Sequence, residues 1–271
     1  MAQLRQGILI AIEGIDGSGK STLARGLSEQ LAQLNISTVL TREPGGSPLG
    51  KHLRTLLQHP EININPTAEF LLFAADRAQH FTQIIIPALN NKQLVISDRL
   101  SDSSLVYQGF GKGVDQQMIR SVNQWAMQGI KPDLTIYLHI DAQTAMERIH
   151  ARGKALTAFE KEPIEFTQKL IDGFSSLYSP SPKRQAAYPV NMRQENHADP
   201  AVVAEKSTMA ESSALSEGRA QAMEELRRKE ESLLHKNRKD VMMIDGAQSQ
   251  DKILADVSHK VHAWIKENHY L

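Results

Sequence analysis

The stretch Gly14-Ile15-Asp16-Gly17-Ser18-Gly19-Lys20-Ser21, followed by Thr22, gathers glycines, a carboxylate, hydroxyls and a lysine. The spacing is Gly-x4-Gly-Lys-Ser, behind an apolar run at Ile8–Ile12 and ahead of a helical pattern from Lys20 to about Leu34. Strand, glycine-rich turn and helix in that order form a phosphate-binding loop, or P-loop. Glycines let the backbone curl so that successive N–H groups aim at one anion. The helix N-terminus adds partial positive charge. Lys20 is expected to reach the β- and γ-phosphates of a nucleoside triphosphate, and the Ser21 hydroxyl to ligate magnesium. A glycine-rich turn without a ligand is the competing reading; the strand before it and the helix behind it argue against that.

Other residues carry chemistry that such a loop needs. Asp98 closes the apolar run Leu94-Val95-Ile96, and Arg99 follows it. An acidic residue at a strand end is what a P-loop enzyme requires beside its metal. Phe73 and Arg77 stand four apart on a helical pattern and so share a face. An aromatic face with a few polar partners selects a flat base. Ser101–Gly113 (SDSSLVYQGFGKG) reads as a polar, glycine-rich loop behind a strand, where α/β sheets bind ligands. Arg54, Arg148 and Arg152 offer guanidinium forks, which suit phosphate better than lysine does. Simpler readings compete: Phe73 as core packing, Arg54 and Arg77 as solvated or salt-bridged arginines, Asp98 as a strand-end cap. The histidines show no metal spacing, and His80 and His139 are expected to be packed or solvated.

Alternating strands and helices must position these groups. Strands are expected at Gly7–Glu13, Ile36–Thr41, Gln93–Asp98, Asp133–Ile140 and Val241–Ile244. A helix at about Pro48–Gln58 is expected to turn Leu49, Leu53, Leu56 and Leu57 inward. Asn65-Pro66-Thr67 starts a helix that runs toward Ile86, where Pro87 kinks or ends it. Further helices are expected at about Asp115–Gln128, Ala142–Ala151, around Phe166–Leu177 and at Ile253–Ile265. This rhythm predicts a parallel, three-layer α/β sheet. Ser179–Asp240 breaks it and reads as a surface arm, with a polar helix at about Ala201–Asn237.

Composition narrows the partners. Lys+Arg and Asp+Glu are both 31, so global charge does not support a nucleic-acid partner. There are no cysteines, which excludes disulfides, cysteine-ligated zinc and thiol catalysis and is compatible with a reducing cytoplasm. Ile8–Ile12 is too short for a signal peptide or a membrane span, so none is expected.

EGIDGSGKST at 13–22, TREPGG at 41–46, LLFAADRAQH at 71–80, ISDRLSDSSLVYQG at 96–109 and PDLTIYLHI at 132–140 resemble the thymidylate kinase family. The resemblance covers about 1–178 and resumes at 241–271. It implies a P-loop NTPase fold, with about five parallel strands and helices on both faces. It also implies one kinase domain over 1–271, with a lid at about 148–163 and an atypical insertion at about 179–240. The implied activity is magnesium-dependent phosphoryl transfer from ATP to dTMP, in a cytoplasmic homodimer.

By the same resemblance, the 14–22 loop binds ATP, with Ser21 and Asp98 at the metal. Lys20, Asp16, Arg99 and a lid arginine, Arg152, are the implied catalytic groups. Arg54 and Arg99 are implied to hold the dTMP phosphate, and Arg42 and Glu43 to shape that end. Phe73 is implied to stack on thymine and Arg77 to bond the base edge. Ser104, Tyr107 and Gln108 are implied to complete base and sugar selection.

The chain also departs from the family pattern. The lid element expected as Asp-Arg-Phe-Glu reads Thr157-Ala158-Phe159-Glu160. Ser18 stands where one class of the family carries a P-loop arginine, so the lid is expected to supply it, from Arg148, Arg152 or Lys154. Leu100 and Ile171 replace a frequent tyrosine and a usual arginine. Two readings therefore stay open beside the kinase: a weakened or non-catalytic nucleotide binder with a partner-binding arm, and a kinase for another nucleoside monophosphate.

Overall fold

The computed structural model describes residues 4–59, 61–178, 241–268 and 270. The expected arm at 179–240, with its helix, lies outside them. The residues on either side of it belong to one compact unit.

Five parallel strands, β1 (Ile8–Glu13), β2 (Thr38–Arg42), β3 (Leu94–Asp98), β4 (Leu134–His139) and β5 (Val241–Asp245), form one sheet in the order β2-β3-β1-β4-β5. Around it lie α1 (Lys20–Gln33), α2 (Pro48–Leu57), α3 (Pro66–His80), α4 (Ile86–Asn90), α5 (Ser101–Ser104), α6 (Gln116–Ala126), α7 (Ala142–Ala151), α8 (Ile164–Tyr178) and α9 (Gln250–Glu267). The order centres β1, from which the P-loop springs. Register pairs Ile12 with Asp98 and Glu13 with Tyr137, so the ends of β3 and β4 stand level with the start of the loop.

The strand period of two accounts for the layers. Ile8, Ile10 and Ile12 face one side and pack on Leu23, Leu27 and Leu31 of α1 and on Val257, Val261 and Ile265 of α9. Leu9, Ala11 and Val95 face the other side and meet Phe81, Ile85 and Ala88. Both faces are covered, which is why these strands read as apolar runs rather than as alternation. Side-chain caps start several helices: Ser47 accepts from the Gly50 N–H at 3.0 Å, and Asn65 from the Thr67 N–H at 2.9 Å.

Three expectations need correction. The 101–113 segment is helical: α5 continues into a π-helical stretch, Leu105–Gly111. Gly111 serves packing rather than turning, since a Cβ there would come within 2.7 Å of Phe166 in α8, whereas Gly113, at φ 76, turns the chain at the end of the segment. Pro87 does not end its helix. A π-helical turn at Phe81–Ile85 carries α3 into α4 and leaves Pro87 in the first turn, where a missing N–H is tolerated. Leu49 and Leu56 point outward, at 45% and 37% exposure, while Leu57 is buried.

Candidate active site

The loop after β1 turns on glycines. Gly17 has φ 81, and a Cβ there would meet the Ala145 carbonyl oxygen at 2.5 Å, so only glycine fits. Lys20 folds back to donate to the Ile15 carbonyl, with Ser18 Oγ 3.4 Å away. Burial, helped by the charge of Arg99, lowers its pKa to about 8. Ser21 Oγ donates to Asp98 Oδ2, so the two expected metal ligands touch. Hydroxyl and carboxylate oxygens are hard donors, and the pair fits a magnesium ion that completes its shell with water and phosphate oxygens. Among the described residues no group of three or more His, Asp or Glu is placed to hold a metal by itself.

Arg99 joins β3 to this loop. Its backbone is left-handed, φ 74. Nη1 donates to the Gly14 carbonyl at 2.8 Å and to Ser103 Oγ at 3.0 Å; Nη2 donates to Asp16 Oδ1 at 2.7 Å and to Tyr107 Oη at 3.1 Å. The Tyr107 hydroxyl donates to Asp16 Oδ2 at 3.1 Å. Burial alone would raise the Asp16 pKa; the charges of Arg99 and Lys20 and these hydrogen bonds outweigh it and hold it at about 2. Beneath lies Glu13, fully buried, which accepts from the Leu100 N–H at 2.8 Å and from Ser103 Oγ at 2.6 Å. Burial, then the nearby Asp102, raises its pKa to about 7. The sequence reading passed over Glu13 and Ser103, although a carboxylate ending an apolar strand was the signal that singled out Asp98.

The other end of the cleft is built on α3. Arg77 is 1% exposed and donates to Asn123 Oδ1 of α6 at 2.6 Å, to Ser104 Oγ at 3.3 Å and to the Leu100 carbonyl at 3.3 Å. Its Nη2 lies 2.7 Å from Glu43 Oε2, an ion pair by distance though not by hydrogen-bond direction, and its Nε has no protein partner. His80 is packed, as expected, with Nδ1 3.0 Å from Glu43 Oε1 and Nε2 2.6 Å from Thr41 Oγ1. Gln108 donates to Glu69 Oε1 at 2.8 Å. Arg54 donates to the Pro44 carbonyl at 3.0 Å, and Arg42 is exposed. Phe73 is half-buried and meets Phe159 at 6.0 Å between ring centroids. Phe159 was named by sequence only as part of the lid element, and Asn123 not at all; Asn123 lies on an amphipathic helix far along the chain.

In the 148–163 segment, expected as a lid, Arg152 pairs with Glu160, Nη1 to Oε1 at 2.9 Å and Nη2 to Oε2 at 2.9 Å. Arg148 donates instead to the Gly246 and Ala247 carbonyls behind β5, at 2.7 and 3.2 Å. The Ala158 N–H donates to the Gln58 carbonyl at 3.3 Å, which ties this segment to the end of α2. One cleft of about 860 Å³ is lined by Asp16, Gly17, Gly19, Lys20, Ser21, Thr22, Asp98 and Arg99, and also by Arg42, Glu43, Arg54, Phe73, Arg77, Ser104, Tyr107, Gln108 and Arg152. Of the residues singled out, Gly14, Ile15 and Ser18 do not line it.

The thymidylate kinase family model matches residues 12–196. The chain belongs to the thymidylate kinase family. It is 42% identical over 176 residues to the thymidylate kinase of Halothermothrix orenii, covering 64% of this chain and 84% of that one. It is equally 42% identical over 180 residues to that of Pelotomaculum thermopropionicum, covering 66% and 83%. The crystal structure of thymidylate kinase from Ehrlichia chaffeensis superposes with a TM-score of 0.53 at 35% identity, covering 64% of this chain and 81% of that one. The fold is thus the parallel P-loop fold of the thymidylate kinase family, with helices on both faces of five strands.

Proposed function

We propose that this chain transfers the γ-phosphoryl group of ATP to dTMP, giving ADP and dTDP. The observation that carries the reading is the bonding of Arg99 to both Asp16 and the Gly14 carbonyl. It joins the phosphate-binding loop to the polar, aromatic end of one continuous cleft, so donor and acceptor have adjoining places.

Lys20 and the loop amides hold the donor phosphates. Ser21 and Asp98 would hold magnesium, which would offset the negative charge of the donor phosphates. Arg54 and Arg99 hold the acceptor phosphate, and Asp16 faces the acceptor's sugar and phosphate. Phe73 stacks on the base and Arg77 reads its edge, with Ser104, Tyr107 and Gln108 completing base and sugar selection. An oxygen of the acceptor phosphate attacks the γ-phosphorus as the bond to the β–γ bridging oxygen breaks, and ADP leaves. Two anions meet in this step, so arginines must offset their repulsion, and Arg152 adds charge from the lid. Closure excludes water, which would otherwise take the phosphoryl group.

The chain acts as a single kinase domain, in the cytoplasm and as a homodimer. Support for the dimer comes from Leu71 of α3 and Met118 and Trp125 of α6, all strongly exposed. Among the described residues no helix is long and apolar enough to cross a membrane. A coupled ADP-release assay tests the activity. ADP formation that depends on dTMP and disappears in Lys20→Ala is expected; a rate that ignores dTMP contradicts it.

A further inference from the structure

We infer that the lid turn Thr157–Glu160 is a positioning device, which presents Arg152 to the cleft and is tied through Phe159 to the acceptor side. The inference rests on the kinase reading above. Thr157 and Glu160 form a reciprocal cap: the Thr157 N–H donates to Glu160 Oε2 at 2.9 Å, and the Glu160 N–H to Thr157 Oγ1 at 3.4 Å. This is the T-x-x-E capping box, here starting the 3₁₀ turn Phe159–Lys161. The residues that look like a damaged family motif therefore build an ordered turn.

The same carboxylate does a second task. Glu160 is buried and receives both terminal nitrogens of Arg152. Such a two-pronged pair fixes the plane of a guanidinium as well as its place. With one edge held, the other edge of Arg152 remains for the cleft that it lines. Of the two arginines at 148–163, Arg148 is occupied by the Gly246 and Ala247 carbonyls.

Phe159 lies between the two capping residues in sequence. Its ring centroid is 6.0 Å from that of Phe73 and 5.9 Å from that of Tyr107. The Lys112 ammonium lies 5.1 Å from its centroid and is itself held by Glu69 at 2.7 Å. A base entering against Phe73 comes within reach of Phe159. That contact steadies the turn, and Glu160 passes the order to Arg152. The positive charge for phosphoryl transfer is thus set in place when an acceptor is bound, which disfavours loss of the phosphoryl group to water.

A double-mutant cycle on the full chain tests the relay. Glu160→Gln should lower kcat with dTMP about a hundredfold, the scale of a misplaced positioning group. In an Arg152→Ala background it should cost less than about twofold further, because the two residues act as a unit. Thr157→Ser keeps the cap and should keep the rate, whereas Thr157→Val should lower kcat, again only while Arg152 is present. Phe159→Ala should raise KM for dTMP in both backgrounds and lower kcat only with Arg152. Should Glu160→Gln unfold, the Thr157→Val and Arg152→Ala cycle is scored the same way. Losses in kcat that multiply instead of merging overturn the relay and leave the kinase reading intact. A folded, unaltered chain with no dTMP-dependent turnover overturns the kinase reading and the relay with it.

Discussion

Arg99 Nη2 meets Asp16 Oδ1 at 2.7 Å, and the two residues come from different strand ends, 83 positions apart. Asp16 belongs to the phosphate loop and Arg99 follows β3, so this ion pair fixes the spacing between the two halves of the cleft. Arg99→Lys keeps the charge but loses the fork that also reaches Gly14, Ser103 and Tyr107. The expected cost is about 2 kcal/mol in kcat/KM, the scale of a hydrogen bond to a charged group. Steady-state kinetics with dTMP checks it; an unchanged kcat/KM would remove Arg99 from the transfer step.

Lys20 should take up a proton when ATP binds. Its pKa in the free protein is lowered to about 8, so it is partly neutral above that pH. Triphosphate stabilises the charged form and raises the pKa again. Uptake should therefore be marked at about pH 8.5 and vanish at about pH 6.5, where Lys20 is already protonated. Titration calorimetry in two buffers of different ionisation enthalpy measures it, and Lys20→Arg should abolish it. Equal apparent enthalpies at the higher pH would contradict the shift.

The phosphate-loop half of the cleft was legible because its residues are local in sequence. Gly14 to Ser21 is one loop, its strand and helix adjoin it, and Asp98 ends a run of apolar residues. The half around Arg77 assembles over long separations. Arg77 and Asn123 are 46 residues apart and meet only because α3 packs beside α6. The glycines of 101–113 misled because composition alone cannot tell a turn glycine from one that admits a neighbouring helix, as Gly111 admits Phe166. Thr157-Ala158 looks like a loss against the family pattern, yet T-x-x-E at 157–160 is a helix start by its own chemistry.

The buried cage around Arg77 should be costly to open. Glu43 faces both Arg77 and His80. Burial acts to raise its pKa, but Arg77 and His80 outweigh that and lower it. Glu43→Ala leaves a buried guanidinium without its carboxylate, and destabilisation of about 3–5 kcal/mol is expected. Thermal melting should fall by about 10 °C for a domain of this size. Glu43→Gln combined with Arg77→Met should recover much of the loss, and no recovery would argue against an electrostatic origin.

Trp125 is 80% exposed on α6, and Met118, seven residues earlier on the same helix, is 58% exposed. Under the homodimer reading, Trp125→Glu places charge in an apolar contact and should halve the mass seen by light scattering. Equal masses for the two proteins would contradict that assembly.

The identity of the acceptor decides the function. ADP release should be measured with ATP, magnesium and a panel of nucleoside monophosphates, on protein shown to be folded. Turnover with dTMP is expected, with the highest kcat/KM in the panel. No dTMP-dependent turnover, or a higher kcat/KM for another monophosphate, would contradict it.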